Sequence, residues 1–105
     1  MITLCIRYTL NPARLADFEA YARELPAQIK RSGGHLRGYY LPTKFAGPTN
    51  TALGLIDFPN LAAYEQYRTR LAGDPEAIES VRRVDQSGAV LNEDRSILQR
   101  VSESG

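Results

Sequence analysis

The sequence predicts an α+β fold, a ferredoxin-like β-α-β-β-α-β plait, on three observations. Its apolar residues switch between a period of two and a period of three to four, in the order strand, helix, strand, strand, helix, strand. Two segments that each follow a predicted strand share the pattern L-A-x-[F/Y]-E-x-Y: Leu15-Ala16-Asp17-Phe18-Glu19-Ala20-Tyr21 and Leu61-Ala62-Ala63-Tyr64-Glu65-Gln66-Tyr67. The length, 105 residues, suits one domain. Residues 1–101 are expected to form it and residues 102–105 to fray. In this topology the sheet is antiparallel, with spatial order 4-1-3-2, and the helices cover one face.

Each element carries its own signal. Residues 2–8 alternate, with Ile2, Leu4, Ile6 and Tyr8 opposite Thr3, Cys5 and Arg7, as in a half-buried strand. Asn11-Pro12 reads as an N-cap followed by Pro at the first helical position. Leu15, Phe18, Ala22, Leu25 and Ile29 then form one helical stripe, which Pro26 should kink or cut short. Ser32-Gly33-Gly34 stops it. Residues 35–41 are a second, aromatic-rich strand closed by Pro42, and residues 43–50 a loop. The third strand spans 51–58. Asn60 opens the second helix, with Leu61, Tyr64, Tyr67 or Arg68, and Leu71 down one side and Gly73 at its end. Asp74-Pro75-Glu76 starts a short third helix whose apolar side is Ile78 and Val81. A last strand is expected at 95–101. The tyrosines and phenylalanines of the two repeats (Phe18, Tyr21, Tyr64, Tyr67) read as core packing.

Composition excludes several classes of function. A hydrophobic fraction of 43% argues against disorder. Thirteen basic and twelve acidic residues leave a net charge of +1, no field for nucleic acid or an anionic membrane surface. No apolar run approaches the ~20 residues of a membrane span. One cysteine cannot pair internally and no charged-then-apolar leader opens the chain, so a cytoplasmic address is expected. The G-x-G-x-x-G, G-x-x-x-x-G-K-[S/T] and G-x-S-x-G signatures are missing, as are paired metal-ligand spacings, so neither a metal nor a cofactor is expected.

A four-stranded sheet with helices on one side leaves its other side bare. Here the strands lean apolar on both faces: Leu53 and Leu55 oppose Ala52, Gly54, Ile56 and Phe58, while Leu36 and Tyr40 oppose Tyr39 and Leu41. A monomer would expose more apolar sheet than soluble monomers tolerate, so a homodimer through that face is expected. Two such sheets would enclose a barrel-like interior with room for a small ligand.

Three segments carry a resemblance. Gly33-Gly34-His35-Leu36-Arg37-Gly38-Tyr39-Tyr40-Leu41-Pro42 resembles the G-G-x-x-x-G-Y-[F/Y]-x-P segment of small NIPSNAP-like proteins. Asp57 to Arg68 is similar to their F-P-S-L-x-x-Y-E-x-Y-R segment, with Asn60 where Ser is common, and both residues cap helices. Asp94-Arg95-Ser96-Ile97-Leu98 is similar to their R-S-F-L strand. The resemblance implies a dimeric α+β barrel, the fold also used by antibiotic-biosynthesis monooxygenases and several stress-response proteins. It implies no catalytic residues, because the family has none agreed.

The candidate site follows from alternation. If Ile2, Leu4 and Ile6 face the helices, Thr3, Cys5 and Arg7 face the barrel interior, and His35, Arg37 and Tyr39 share one face of the second strand. His35, the only histidine, is the candidate general base; Tyr39 would hydrogen-bond a carbonyl or phenolate. These two are the expected catalytic pair, with Arg7, Arg37 and Cys5 binding the ligand, the arginines through a carboxylate. Each residue also has a plainer role, as an inert strand-edge histidine, a core aromatic or a buried thiol. Eleven of the thirteen basic residues are Arg, which alone accounts for arginines here. Cys5 and His35 make no dyad, because the third strand separates theirs. Asp57, at a strand end, reads as solvated or capping. The expected function is a homodimer that binds a small organic molecule in the barrel, and as an enzyme it would be a cofactor-independent monooxygenase or isomerase. The rival is a non-catalytic structural or stress-associated module whose interior is filled by side chains.

Overall fold

The opening alternation becomes β1 (Ile2–Leu10), in which Leu4, Ile6, Tyr8 and Leu10 are buried and Thr3, Cys5, Arg7 and Thr9 occupy the opposite face. In this computed structural model, which describes residues 1–101, the Asn11 side chain accepts the Ala13 amide and caps one 3-10 turn, Pro12–Arg14. The fraying expected of residues 102–105 lies outside the described residues. From that turn α1 (Leu15–Arg31) continues without a break. Pro26 sits inside it on the exposed side, where a proline removes one backbone hydrogen bond without ending the helix.

The other elements are β2 (His35–Tyr40), β3 (Thr51–Phe58), α2 (Leu61–Ala72), α3 (Pro75–Ser87) and β4 (Val90–Gln99). Asn60 caps α2 by accepting the Ala63 amide, and Asp74 caps α3 by accepting those of Glu76 and Ala77. Gly88, at φ +71°, closes α3 in the left-handed conformation. All strand pairs are antiparallel and the order is β2-β3-β1-β4, the expected plait. Helices cover one face, and the core between helices and sheet holds Leu4, Tyr8, Phe18, Ile29, Ile56 and Phe58.

Two expectations about local structure need correction. The last strand starts at Val90, not 95, and ends at Gln99. Its first half, Leu91-Asn92-Glu93-Asp94, shows no apolar alternation, because pairing with β1 specifies it and nothing buries it. The buried side of α3 is Ala77, Ser80 and Val84, whereas Ile78 and Val81 are exposed. Small residues let α3 approach α1, and the two larger ones border a cavity described below.

Candidate functional site

A cavity of about 340 Å³ lies between the helix-covered face of the sheet and the three helices. Leu4 and Ile6 of β1 contribute to its apolar wall, with Leu25 of α1 and Leu71 of α2. Tyr8, Tyr39, Tyr21 and Tyr67, Gln28 of α1, and Arg68 and Arg95 are the polar residues that line it. Among the described residues, no His, Asp or Glu lines it. The arrangement suits a compact apolar molecule with few polar groups.

The tyrosines hold their protons. Burial first of all pushes the phenols of Tyr8, Tyr21, Tyr39 and Tyr67 above their ordinary value, so near neutrality they donate and accept hydrogen bonds but do not ionise. The hydroxyls of Tyr8 and Tyr39 lie 3.1 Å apart, and one must donate to the other.

Tyr39 reaches this cavity through a β-bulge. Cross-strand pairing steps from Leu36↔Ile56 to Gly38↔Leu55, so Arg37 is an extra residue on β2. Tyr39 therefore pairs with Gly54, on the helix-covered side, and its ring lies so close that a Cβ on Gly54 would meet it at 2.8 Å. The expected common face for His35, Arg37 and Tyr39 is thereby corrected, as is the pairing of Leu36 with Tyr40: Leu36 packs against the core with Tyr39, and Tyr40 lies on the bare face opposite Leu53. A one-residue slip turns every later side chain over.

The other four predicted residues do not line the cavity. His35 pairs across the sheet with Asp57, and Asp57 with Thr3, in one row on the bare face. Asp57, expected to be solvated or capping, is only 4% exposed. Its carboxylate accepts the Thr3 hydroxyl at 2.6 Å and the Arg37 guanidinium at 3.3 Å. Arg37 thus neutralises a buried carboxylate of its own chain. Cys5 pairs with Leu55 in the next row and Arg7 with Leu53 beyond it. Sequence reasoning missed Gln28, Arg68 and Arg95. Gln28 alone left a signal, a polar residue beside Leu25 and Ile29 on the buried stripe of α1. Among the described residues no three His, Cys, Asp or Glu side chains gather to hold a metal ion, and no helix is long and apolar enough to cross a membrane.

The family model described as NIPSNAP matches residues 3–104. No curated protein matches the sequence. Among solved structures, a NIPSNAP-like domain protein from Burkholderia xenovorans is similar at 27% identity and a TM-score of 0.80, over 99% of this chain and 88% of that one. A NIPSNAP family protein of unknown function from Agrobacterium tumefaciens superposes with a TM-score of 0.84 at 19% identity, over 99% and 91%. An antibiotic biosynthesis monooxygenase shares the fold at 12% identity and a TM-score of 0.68, over 97% and 100%.

Proposed function

Because the chain belongs to the NIPSNAP family, we propose that it is a homodimer that binds a small apolar molecule between its helices and its sheet. The observation that carries this reading is the cavity itself: about 340 Å³, walled by leucines and tyrosines. Its site differs from the barrel interior that alternation pointed to. Of the five expected site residues, Tyr39 serves the ligand, while His35, Arg37, Arg7 and Cys5 belong to the face that a second copy covers. Support for the dimer comes from the apolar side chains on that face, Leu53, Leu55, Tyr40 and Leu98, the last two about half exposed. A cytoplasmic address is part of the same proposal and rests on the lone cysteine.

One likeness favours a second reading. The shared fold with an antibiotic biosynthesis monooxygenase supports a cofactor-independent monooxygenase or isomerase. Among the described residues the cavity has no imidazole or carboxylate to remove a proton, so such chemistry would depend on a ligand that is itself acidic, held by neutral tyrosines and by Arg68 and Arg95.

Native mass spectrometry of protein purified gently tests the binding reading. The expected spectrum is a dimer carrying a reproducible small extra mass, lost in Ala72→Phe, which fills the cavity from α2. A cavity that takes up no small molecule, from the host or from a library of apolar aromatics, overturns the reading.

A further inference from the structure

Polarity changes from one part of the cavity wall to another. Leu4 and Ile29, each 1% exposed, form its deep part, whereas Arg68 and Arg95 line it from positions open to solvent. To that open part α3 adds the exposed Ile78 and Val81. A bound molecule would thus bury one end in hydrocarbon and meet guanidinium groups at the other.

Arg95 reaches the cavity because of its register. It pairs with Ile6, a buried residue of the helix-covered face, so its side chain leaves β4 on that same face. Its Nε donates to Glu93 Oε2 at 2.9 Å, and among the described residues its two terminal nitrogens have no partner. Burial raises the phenols of Tyr21, Tyr39 and Tyr67, and the positive charge of Arg95 works against that rise in all three. A charge that acts on α1, β2 and α2 together is directed at the space those elements enclose. Arg68 comes from α2, its guanidinium carbon 6.0 Å from the Tyr64 ring centroid, with no acidic partner among the described residues. Glu93 balances one of the two guanidiniums, which leaves a single positive charge for a ligand.

We propose that this cavity takes a small monocarboxylate, its apolar body among the leucines and tyrosines and its carboxylate on Arg95 and Arg68. A guanidinium presents parallel N–H groups to the two oxygens of a carboxylate, a match that an ammonium lacks. At the open part of the wall the carboxylate keeps some of its hydration, so binding avoids the full cost of burying a charge. One spare positive charge suits a monoanion better than a phosphate dianion. A neutral molecule of the same shape would gain nothing from either arginine's charge. The inference rests on the cavity being a binding site, and its test separates the two.

The test compares 2-naphthoate with 2-naphthamide, bodies of the same shape of which only the first is charged, by titration calorimetry on the full chain at neutral pH. The wild type should bind the naphthoate about tenfold or more tightly, since hydrogen bonds between charged groups are the stronger ones. Arg68→Gln and Arg95→Gln, combined in one chain, should bring the ratio to about one or below. Raising the salt tenfold from about 50 mM should weaken naphthoate binding by the wild type several-fold and leave naphthamide binding unchanged, a readout that stands even if the variant fails to fold. Equal binding of both probes, a preference that survives the double variant, or a naphthoate affinity indifferent to salt would each overturn the assignment while leaving the cavity a binding site. Failure of both probes to bind also overturns it, and failure of the apolar aromatic library as well overturns the cavity reading with it.

Discussion

β1 and β4 lie side by side, pair from Ile2↔Gln99 to Leu10↔Val90, and differ by only one residue in length. Their environments are opposite. Leu4 is 1% exposed while Ile97, directly across from it, is 42% exposed. Nine of the ten β4 residues are exposed, whereas β1 alternates between buried and open. Backbone hydrogen bonds are available to both strands, but α1, α2 and α3 shield only one of them. Pairing therefore makes a strand, and covering it makes a core. The cavity sits on this boundary, with Ile6 contributed by β1 and its cross-strand neighbour Arg95 by β4. An edge strand this long, with Leu91, Ile97 and Leu98 open, is the kind of surface that proteins protect. In our reading a second copy covers the bare face of the sheet that β4 extends.

The sharpest way to break this contrast is to cut back one apolar side chain on each side of it. Phe58 is fully buried against Tyr64 and Tyr67, so Phe58→Ala should cost about 3–5 kcal/mol of folding stability. Leu91→Ala, on β4, should cost roughly 0.5 kcal/mol or less. Denaturant unfolding of both variants reads the difference, and similar losses would mean that β4 is buried in solution by something other than its own helices. The bare face itself supplies the next effect. Asp57→Ala leaves the Thr3 hydroxyl and the Arg37 guanidinium without their shared acceptor, at an expected cost of about 1–3 kcal/mol in the same measurement.

The smallest effect sharpens the helix-covered side. Glu24 titrates below its usual 4.5 in the folded chain because Arg83 and Ser80 bond its charged form. A depressed folded value stabilises the protein above the unfolded value, and the benefit disappears as pH falls through the folded one. Wild-type stability should therefore drop more steeply than that of Glu24→Gln as pH falls below about 4.5, followed by thermal unfolding across that window. Parallel curves would mean that the Arg83–Glu24–Ser80 chain contributes nothing to stability.

Much of this fold was legible because its signals are local. Asn11, Asn60 and Asp74 announce helix starts, and the alternation of β1 separates Leu4 and Ile6 from Cys5 and Arg7 at once. The plait order then follows from topology. The site was less legible for a reason that Arg37 makes plain. A glycine inside a strand often marks a bulge, and Gly38 stands beside this one, but it does not say which neighbour is the extra residue; that single residue carried Tyr39 from the bare face to the cavity and left His35 behind. Asp57 shows the same limit, since its burial depends on Thr3, distant in sequence and adjacent only once β1 and β3 pair. Gln28 could have been noticed on an apolar stripe, but its partner Ser80 is one that only packing brings to it. Where β4 begins was hidden because its residues answer to a neighbouring strand and to no core.

The association state of the protein tests the account most directly. Sedimentation equilibrium at low micromolar concentration should show twice the 11.7 kDa chain mass for the wild type, and the single mass for Leu55→Asp, which places a charge on the bare face. A wild type that sediments as a single 11.7 kDa chain, indistinguishable from the variant, would contradict it.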